Sequence, residues 1–268
     1  MIYFLSIIFI IFFNLTPIIW CFILSITKES DILNSIIPKN PTFYNYLMFF
    51  NSTTKEHEII IRGLKNSIFI SFITLLITIP LIIITSYAFY KYKFNKFLLN
   101  LILATIAIPV FTTIIPIYTI FKNLDLLDNM FFTSIIYTSS FLPLNILIAL
   151  NYFKTLPEQL WEAAQIDGFN EINFFFKIIL PLSKPIILTT SLITFLMTWK
   201  QYIIPLILLT SYKKKLLTMV ISEFISRDIA NYSILATTGI IAIIPPIFIA
   251  IFFRKFLISG FSNSGNKF

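Results

Sequence analysis

The chain has one cysteine, Cys21, and one histidine, His57. A lone thiol excludes an intrachain disulfide and a thiolate metal cluster. A lone imidazole in a polar loop supplies neither a ligand set nor a Ser/His/Asp constellation, so no metal and no catalytic residue is expected. Charge is sparse as well. Asp and Glu number 12 against 20 Lys and Arg, and all four types together make 12% of the chain, where a soluble domain carries about a quarter. The phosphate-cradling string GxxxxGK[ST] does not occur, which excludes a nucleotide hydrolase of that kind. No basic run is interleaved with aromatics, so nucleic acid is not an expected partner. Lys213, Lys214 and Lys215 form a cluster that a solvated loop explains, and the net charge of +8 fits loops facing lipid headgroups. The five glycines, set beside abundant Ile, Phe, Asn and Lys, read as compositional bias rather than chemistry.

What is present is hydrocarbon: 57% of the residues are hydrophobic. A membrane-spanning helix needs roughly 20 apolar residues, and six runs qualify: 2–26, 68–90, 97–121, 130–153, 186–209 and 233–253. Only Lys200, in the fifth run, interrupts them with a charge. Lipid offers no hydrogen-bond partner to backbone, so only helices or closed barrels cross it. The runs are too long and too uniformly apolar for alternating barrel strands. The fold class is therefore all-α: a polytopic membrane protein of six transmembrane helices, read as a single domain over 1–268. The first run lacks a basic leader and a small-x-small cleavage pattern, and is expected to be a retained helix. Six crossings put both termini on one side. The Lys and Arg residues divide almost evenly between the two sides, although the dense Lys91–Lys96 loop and the Arg254–Lys255 pair favour cytoplasmic termini.

One polar island stands between the fourth and fifth runs. Residues 158–185 read EQLWEAAQIDGFNEINFFFKIILPLSKP. Pro157 suits a first helical position, and a helix from it would reach about Ile166. Asp167-Gly168 then breaks it, since Gly accepts the left-handed conformation that closes a helix end. Asn170 can cap a second helix. Ile172, Phe175, Phe176 and Ile179 fall at i, i+3, i+4 and i+7, predicting one apolar stripe, and Pro181 and Pro185 are expected to end it. Ala163 and Ala164 are small enough for close approach. Such a hairpin suits a lipid surface as well as a protein groove.

The string Glu162-Ala163-Ala164, then Asp167-Gly168, then Ile179-Leu180-Pro181-Leu182 and Pro185 resembles the EAA loop of ABC importer permeases. Tyr87-Ala88-Phe89 resembles the ending of the family's second span. Pro109, Pro116 and Leu124-Asp125-Leu126-Leu127-Asp128 resemble a stretch in which Gly is usual where Asp125 stands. Phe195, Trp199, Tyr202, Pro205 and Leu206 resemble the fifth-span signature, and Gly260-Phe261 the short tail. The chain is similar to the smaller permease subunit of carbohydrate importers. This resemblance implies a type I ABC-importer permease fold in a bacterial plasma (inner) membrane. It implies a cytoplasmic coupling loop at 154–185 and cytoplasmic termini. Implied docking residues are Glu162, Ala163, Ala164, Asp167, Gly168 and Pro181. Implied partners are a dimer of ATPase subunits, which would bind the ATP, a second, related permease subunit, and an extracytoplasmic solute-binding protein.

Lys200 lies mid-run beside Trp199, Gln201 and Tyr202. A lysine at a helix centre costs about 2.5–3.5 kcal/mol to insert, so it is expected to line a pathway or to meet a partner's charge. Asn is common there in the family. The strings around Trp199-Lys200-Gln201-Tyr202 and Ile244-Pro245-Pro246 resemble the permease of the glycerol-3-phosphate importer, with a neutral sugar as the competing solute. A self-contained secondary transporter, or a permease subclass for a non-sugar solute, is the alternative. The former would show inverted repeats, and none is visible.

Overall fold

The computed structural model describes residues 2–32, 38, 40–50, 54–93, 96–226 and 231–265. Lys39, Arg227 and Lys267 lie outside them, and the Arg254–Lys255 pair and the Gly260-Phe261 ending lie where only the backbone is described. Every regular element among the described residues is helical. The helices are α1 (Ile2–Ser25), α2 (Tyr44–Phe50), α3 (Lys55–Lys91), α4 (Lys96–Ala104), α5 (Val110–Asn123), α6 (Met130–Phe153), α7 (Gln159–Ile166), α8 (Glu171–Phe174), α9 (Leu180–Leu182), α10 (Lys184–Trp199), α11 (Ile203–Leu208), α12 (Leu217–Ser226) and α13 (Tyr232–Gly265).

Four single helices are long and apolar enough to cross a membrane: Phe4–Ser25, Lys55–Lys91, Met130–Phe153 and Tyr232–Phe253. Two bent pairs bring the total to six if each is one crossing: Lys96–Ala107 with Phe111–Asn123 at 94°, and Glu171–Leu182 with Lys184–Trp199 at 68°. The 37 residues of α3, at about 1.5 Å each, make roughly 55 Å, well beyond a hydrocarbon core of about 30 Å.

The third run is therefore not the continuous helix that its length predicts. Ile108 is extended at φ −77°, ψ 115°, and Pro109 follows at φ −65°, ψ 136° as the cap of α5. Proline has no N–H to give the helix, and its ring drives the preceding residue out of the helical region. Pro116, inside α5, does not break it. The fifth run is likewise two pieces, α10 and α11, with Lys200, Gln201 and Tyr202 between them.

The described chain forms two compact units. One comprises residues 1–67 and 211–247, the other 68–210 and 248–268. In the first, Glu29 accepts from the Tyr232 and Ser233 amides at 3.1 and 2.9 Å, a carboxylate on the positive end of α13. The segment after Glu29 includes α2 and the first turns of α3. Ser67 accepts from the Leu217 amide at 2.9 Å, and Asn66 donates to the carbonyls of Lys213 and Lys215 at 3.0 and 2.9 Å. A methyl group added at Gly63 would lie 3.0 Å from Val220 Cγ2 and 3.2 Å from Leu217 Cα, so glycine permits α12 to rest directly on α3.

In the second unit α6 is central. Its buried positions Met130, Thr133, Ser134, Tyr137, Thr138 and Phe141 follow one helical face, and from Pro143 to Phe153 burial extends round to the other side with Ile146, Leu150 and Phe153. Thr78 and Thr138 share a hydrogen bond of 2.8 Å, and Ser86 donates to the Ile146 carbonyl at 3.2 Å. Small hydroxylated residues let helices approach closely in lipid. Polarity is inverted relative to a protein in water. Ser and Thr dominate the buried polar set, while Phe4, Phe9, Phe12, Phe69, Phe72, Ile84 and Ile115 are exposed.

After α5, Asp125 sits in the left-handed region at φ +52°. Its amide bonds to the Lys122 carbonyl at 3.3 Å, and the Leu126 amide reaches the Phe121 carbonyl at 2.8 Å. This is the paired-bond helix ending whose left-handed residue is usually glycine, and Asp is among the few other types that accept it. Asp125→Gly is expected to hold or raise the thermal midpoint of the detergent-purified protein. Asp125→Val is expected to lower stability by about 1–2 kcal/mol; an unchanged midpoint for the valine variant would contradict this conformation.

Candidate functional site

The island folds as a helix–turn–helix within the second unit. Pro157 does not lie inside α7 but opens it: the Pro157 and Glu158 carbonyls accept from Leu160 and Trp161 at 3.3 and 3.1 Å. The end of α7 follows from Gly168, at φ +78°. The Gly168 amide bonds to the Gln165 carbonyl at 3.0 Å, and the Phe169 amide bonds to the Ala164 carbonyl at 2.9 Å. Nothing lies within 4 Å of a Cβ placed on Gly168. The requirement for glycine there is conformational, not steric. Asn170 caps the second arm as its position predicts, accepting from the Asn173 amide at 2.8 Å.

The second arm departs from a uniform helix. Between α8 and α9 lies a π-helical turn, Phe175–Ile179. Pro181 follows at once; it cannot donate to the Lys177 carbonyl, and its ring crowds that carbonyl, which disfavours the i→i−4 pattern. The extra residue in the turn shifts the helical phase. Phe174 and Ile179, five apart, are buried, whereas Ile172 and Phe176 are 68% and 60% exposed. The expected stripe of Ile172, Phe175, Phe176 and Ile179 is therefore split between two faces. Pro181 does not end the arm either. The break comes at buried Ser183, whose hydroxyl donates to the Ile179 carbonyl at 2.7 Å, and α10 then departs at 68°.

The hairpin is packed onto α3 and α6. Ala164, Phe174 and Ile179 share a core with Ile82, Ile83 and Tyr87 of α3 and with Ala149 and Phe153 of α6. The Tyr87 ring meets Phe153 and Phe175 at 5.8 and 5.2 Å between centroids. The Tyr90 hydroxyl donates to the Leu156 carbonyl at 3.2 Å, and that of Tyr152 to the Leu182 carbonyl at 2.6 Å.

A caged cation completes the joint. Lys91, the last residue of α3, has a side chain only 14% exposed. Its ammonium lies 3.8 Å above the centre of the Trp161 ring and 3.0 Å from Glu171 Oε1. Trp161 in turn meets the edge of Phe174 at 4.9 Å. The Tyr92 hydroxyl donates to Glu171 Oε2 at 2.9 Å. The Lys91 ammonium and the Tyr92 hydroxyl hold the Glu171 carboxyl below its ordinary range. One side chain from α3 thus engages both arms of the hairpin. Lys91 and Trp161 carry no motif signal of their own. The available hint was that Lys91 closes an aromatic string, Tyr87 to Tyr90, at the end of an apolar run.

The residues singled out from sequence fall into three groups. Glu162, Ala163, Asp167, Gly168 and Pro181 are exposed on the hairpin. Ala164 is 2% exposed and packs inside the chain's own core, so only Ala163 of the alanine pair is open to a partner. Beside them stand two apolar residues that the motif did not mark, Ile166 and Ile172, with Ile166 87% exposed. Trp199, Lys200, Gln201 and Tyr202 lie elsewhere, at the junction of α10 and α11. Lys200 is not at a helix centre. It caps α10, its amide bonded to the Leu196 carbonyl at 3.3 Å, with its side chain exposed. A cation is favoured at the negative end of a helix, which offsets part of the insertion cost expected of a mid-helix lysine. Trp199 stacks on Phe195 at 5.4 Å.

Residues 78–263 match the family model described as "Binding-protein-dependent transport system inner membrane component". The chain is 25% identical to the sulfoquinovosyl glycerol transport system permease of Agrobacterium fabrum, over 95% of this chain and 89% of that one. It is 29% identical to the trehalose/maltose transport system permease of Thermococcus litoralis, over 94% of this chain and 91% of the other. The arabinooligosaccharide permease of Bacillus subtilis is also 29% identical, with coverages of 93% and 89%. Among solved structures, a chain of a bacterial ABC transporter that imports the acidic polysaccharide alginate superposes with a TM-score of 0.79 at 21% identity, covering 95% of this chain and 94% of that one.

If the cage joins the elements as described, Lys91→Met and Trp161→Leu will not add. A double-mutant cycle on the thermal midpoint is expected to return a coupling of about 0.5–2 kcal/mol. Lys91→Arg should retain most of it, because a guanidinium stacks on indole as well. Strict additivity would show that the ring and the ammonium do not interact.

Proposed function

The chain belongs to the family of binding-protein-dependent transport system inner membrane components, and we propose that its hairpin, residues 154–185, is the face that a separate ATPase subunit grips. The chain is a non-catalytic, multi-pass permease subunit of a binding-protein-dependent ABC importer. The observation that carries the proposal is the fusion of an exposed, turn-tipped hairpin to two spans through the Lys91 cage and the shared core around Tyr87. A lid that merely rested on headgroups would have no use for such a joint. Glu162, Ala163, Asp167 and Gly168 lie at the outward tip, with Ile166 and Ile172 as apolar anchors, and Pro181 stands on the second arm. Ala164 serves the joint from within.

In this reading the hairpin is cytoplasmic, and six crossings place both termini there as well. Closure of two ATPase subunits around nucleotide pulls this hairpin, and its counterpart on a second, related permease subunit, toward each other. The pull passes through α7 and α8 to α3 and α6, and the cavity between permeases changes the side to which it opens. A solute-binding protein docking on the far side biases the same equilibrium. Moving such an equilibrium from 1:99 to 99:1 takes about 5.5 kcal/mol of differential binding, so a slack joint would waste the stroke. The carried solute is a carbohydrate, in keeping with the saccharides in the names of the relatives.

A second reading of the solute rests on Lys200. It is an exposed cation, without an ion pair among the described residues, at the break between α10 and α11, and a helix broken at membrane depth lines a cavity or is buried in protein. With Trp199, Gln201 and Tyr202 it would suit an anionic carbohydrate or sn-glycerol-3-phosphate.

Gly168→Val is expected to insert normally yet to hydrolyse ATP without accumulating solute in the reconstituted complex; uptake at the native rate with native expression would refute the coupling role. Deleting residues 157–181 should abolish co-purification of the ATPase. Lys200→Asn should weaken uptake of labelled glycerol-3-phosphate while sparing that of maltose. Equal loss of both would remove Lys200 from solute selection.

A further inference from the structure

Between the hairpin and the ends of three apolar helices lies an open cavity of about 690 Å³. Four lysines line it: Lys91 and Lys93 at the end of α3, Lys96 at the start of α4, and Lys154 just beyond α6. Two of them are neutralised. Lys91 pairs with Glu171 at 3.0 Å and Lys93 with Glu158 at 3.5 Å. Lys96 and Lys154 are exposed and make no ion pair among the described residues. Glu162 is the one further carboxylate on the wall; it is exposed and makes no ion pair among the described residues.

The position of the cavity is as informative as its charge. The apolar run of α3 stops at Lys91, that of α6 at Phe153, and that of α4 begins after Lys96. Tyr87, Tyr90 and Trp161 line the same space. Aromatic rings and lysines at the ends of apolar helices mark the headgroup level of a bilayer. From Lys96 the wall continues along α4, which has no buried residue. Its Phe97, Leu98 and Leu101 stay exposed. A cationic mouth at headgroup level, opening onto the exposed apolar side chains of α4, matches a ligand with a phosphate at one end and hydrocarbon at the other.

We propose that this cavity is a binding site for the phosphodiester headgroup of an anionic phospholipid, held by Lys96 and Lys154, with its acyl chains along α4. The site depends on the membrane placement of the chain, not on ATPase docking, so either reading can fail without the other. A lipid there would wedge between α4 and the hairpin and would sense any change in their spacing. Each surface lysine contributes about 1 kcal/mol toward an anionic lipid, or roughly fivefold in affinity.

The test is native mass spectrometry of the complex purified through this chain, in micelles supplemented with phosphatidylglycerol or phosphatidylcholine. The native complex should retain phosphatidylglycerol in preference to phosphatidylcholine. Lys96→Gln with Lys154→Gln should lower that affinity about fivefold per lysine. Neither side chain is buried, so the fold is not at risk, and Lys213→Gln with Lys214→Gln should leave retention unchanged. Leu98→Ser should weaken retention of the lipid through its acyl chains. Equal retention of phosphatidylglycerol by native and Lys96/Lys154 proteins would overturn the proposal. So would displacement of the lipid by inorganic phosphate or glycerol phosphate, which would make the ligand a soluble anion. Loss of the ATPase subunit from the variant, with lipid retention intact, would assign these cations to a protein partner and would overturn it too.

Discussion

Hydrocarbon cannot hydrogen-bond, and this one property decides what a helix that stops at membrane depth requires. Among the described residues several interruptions are resolved by the chain itself. After α5 the left-handed Asp125 lets two amides turn back onto the carbonyls of Phe121 and Lys122. After α7 Gly168 does the same with Ala164 and Gln165. Ser183 folds its hydroxyl and its amide onto the Ile179 carbonyl, where α9 gives way to α10. At Pro109 the chain uses a residue that has no amide to leave unpaired. The same property explains the inverted polarity, with hydroxyls at the helix contacts and aromatic side chains facing outward.

The joint between the hairpin and its spans combines apolar packing with charge. The core around Tyr87, Phe153, Ala164, Phe174 and Ile179 is ordinary burial, strong but without direction. Lys91 adds direction. Its ammonium sits above the Trp161 face and beside Glu171, so it touches the hairpin's first arm and its second arm together. An apolar contact tolerates sliding. A cation fixed between an indole and a carboxylate tolerates far less, because both attractions fall away with displacement. The end of α3 and the two arms are therefore expected to move as one body.

Much of this was legible in the residues. The break at Asp167-Gly168 located the hairpin, and Gly168 and Asn170 act as their chemistry requires. The apolar runs found the helices. What was not legible has physical causes. Run length says nothing of Pro109's neighbour being forced extended, so one predicted crossing is bent by 94°. Residue spacing assumes 3.6 residues per turn, and the π-helical turn before Pro181 violates that assumption, which is why Ile172 and Phe176 point away from Ile179. Hydropathy cannot see a helix that stops, so Lys200 read as a costly mid-helix charge when it is an exposed cap. The cage was invisible because Lys91 and Trp161 are 70 positions apart in the chain, and only the fold brings them together.

The π-helical turn has a consequence for what this arm can hold. One residue of helix is worth about 100° of rotation. The inserted residue therefore offsets what the arm displays before the turn from what it displays after it. Ile172, before the offset, looks outward, while Ile179, after it, looks into the chain's own core. On an uninterrupted helix Phe174 and Ile179, five residues apart, would diverge by about 140°; with the offset both reach the same core, while Ile172 and Phe176 stay outside it. One short arm thus holds its scaffold along its length and still keeps apolar side chains free for a partner.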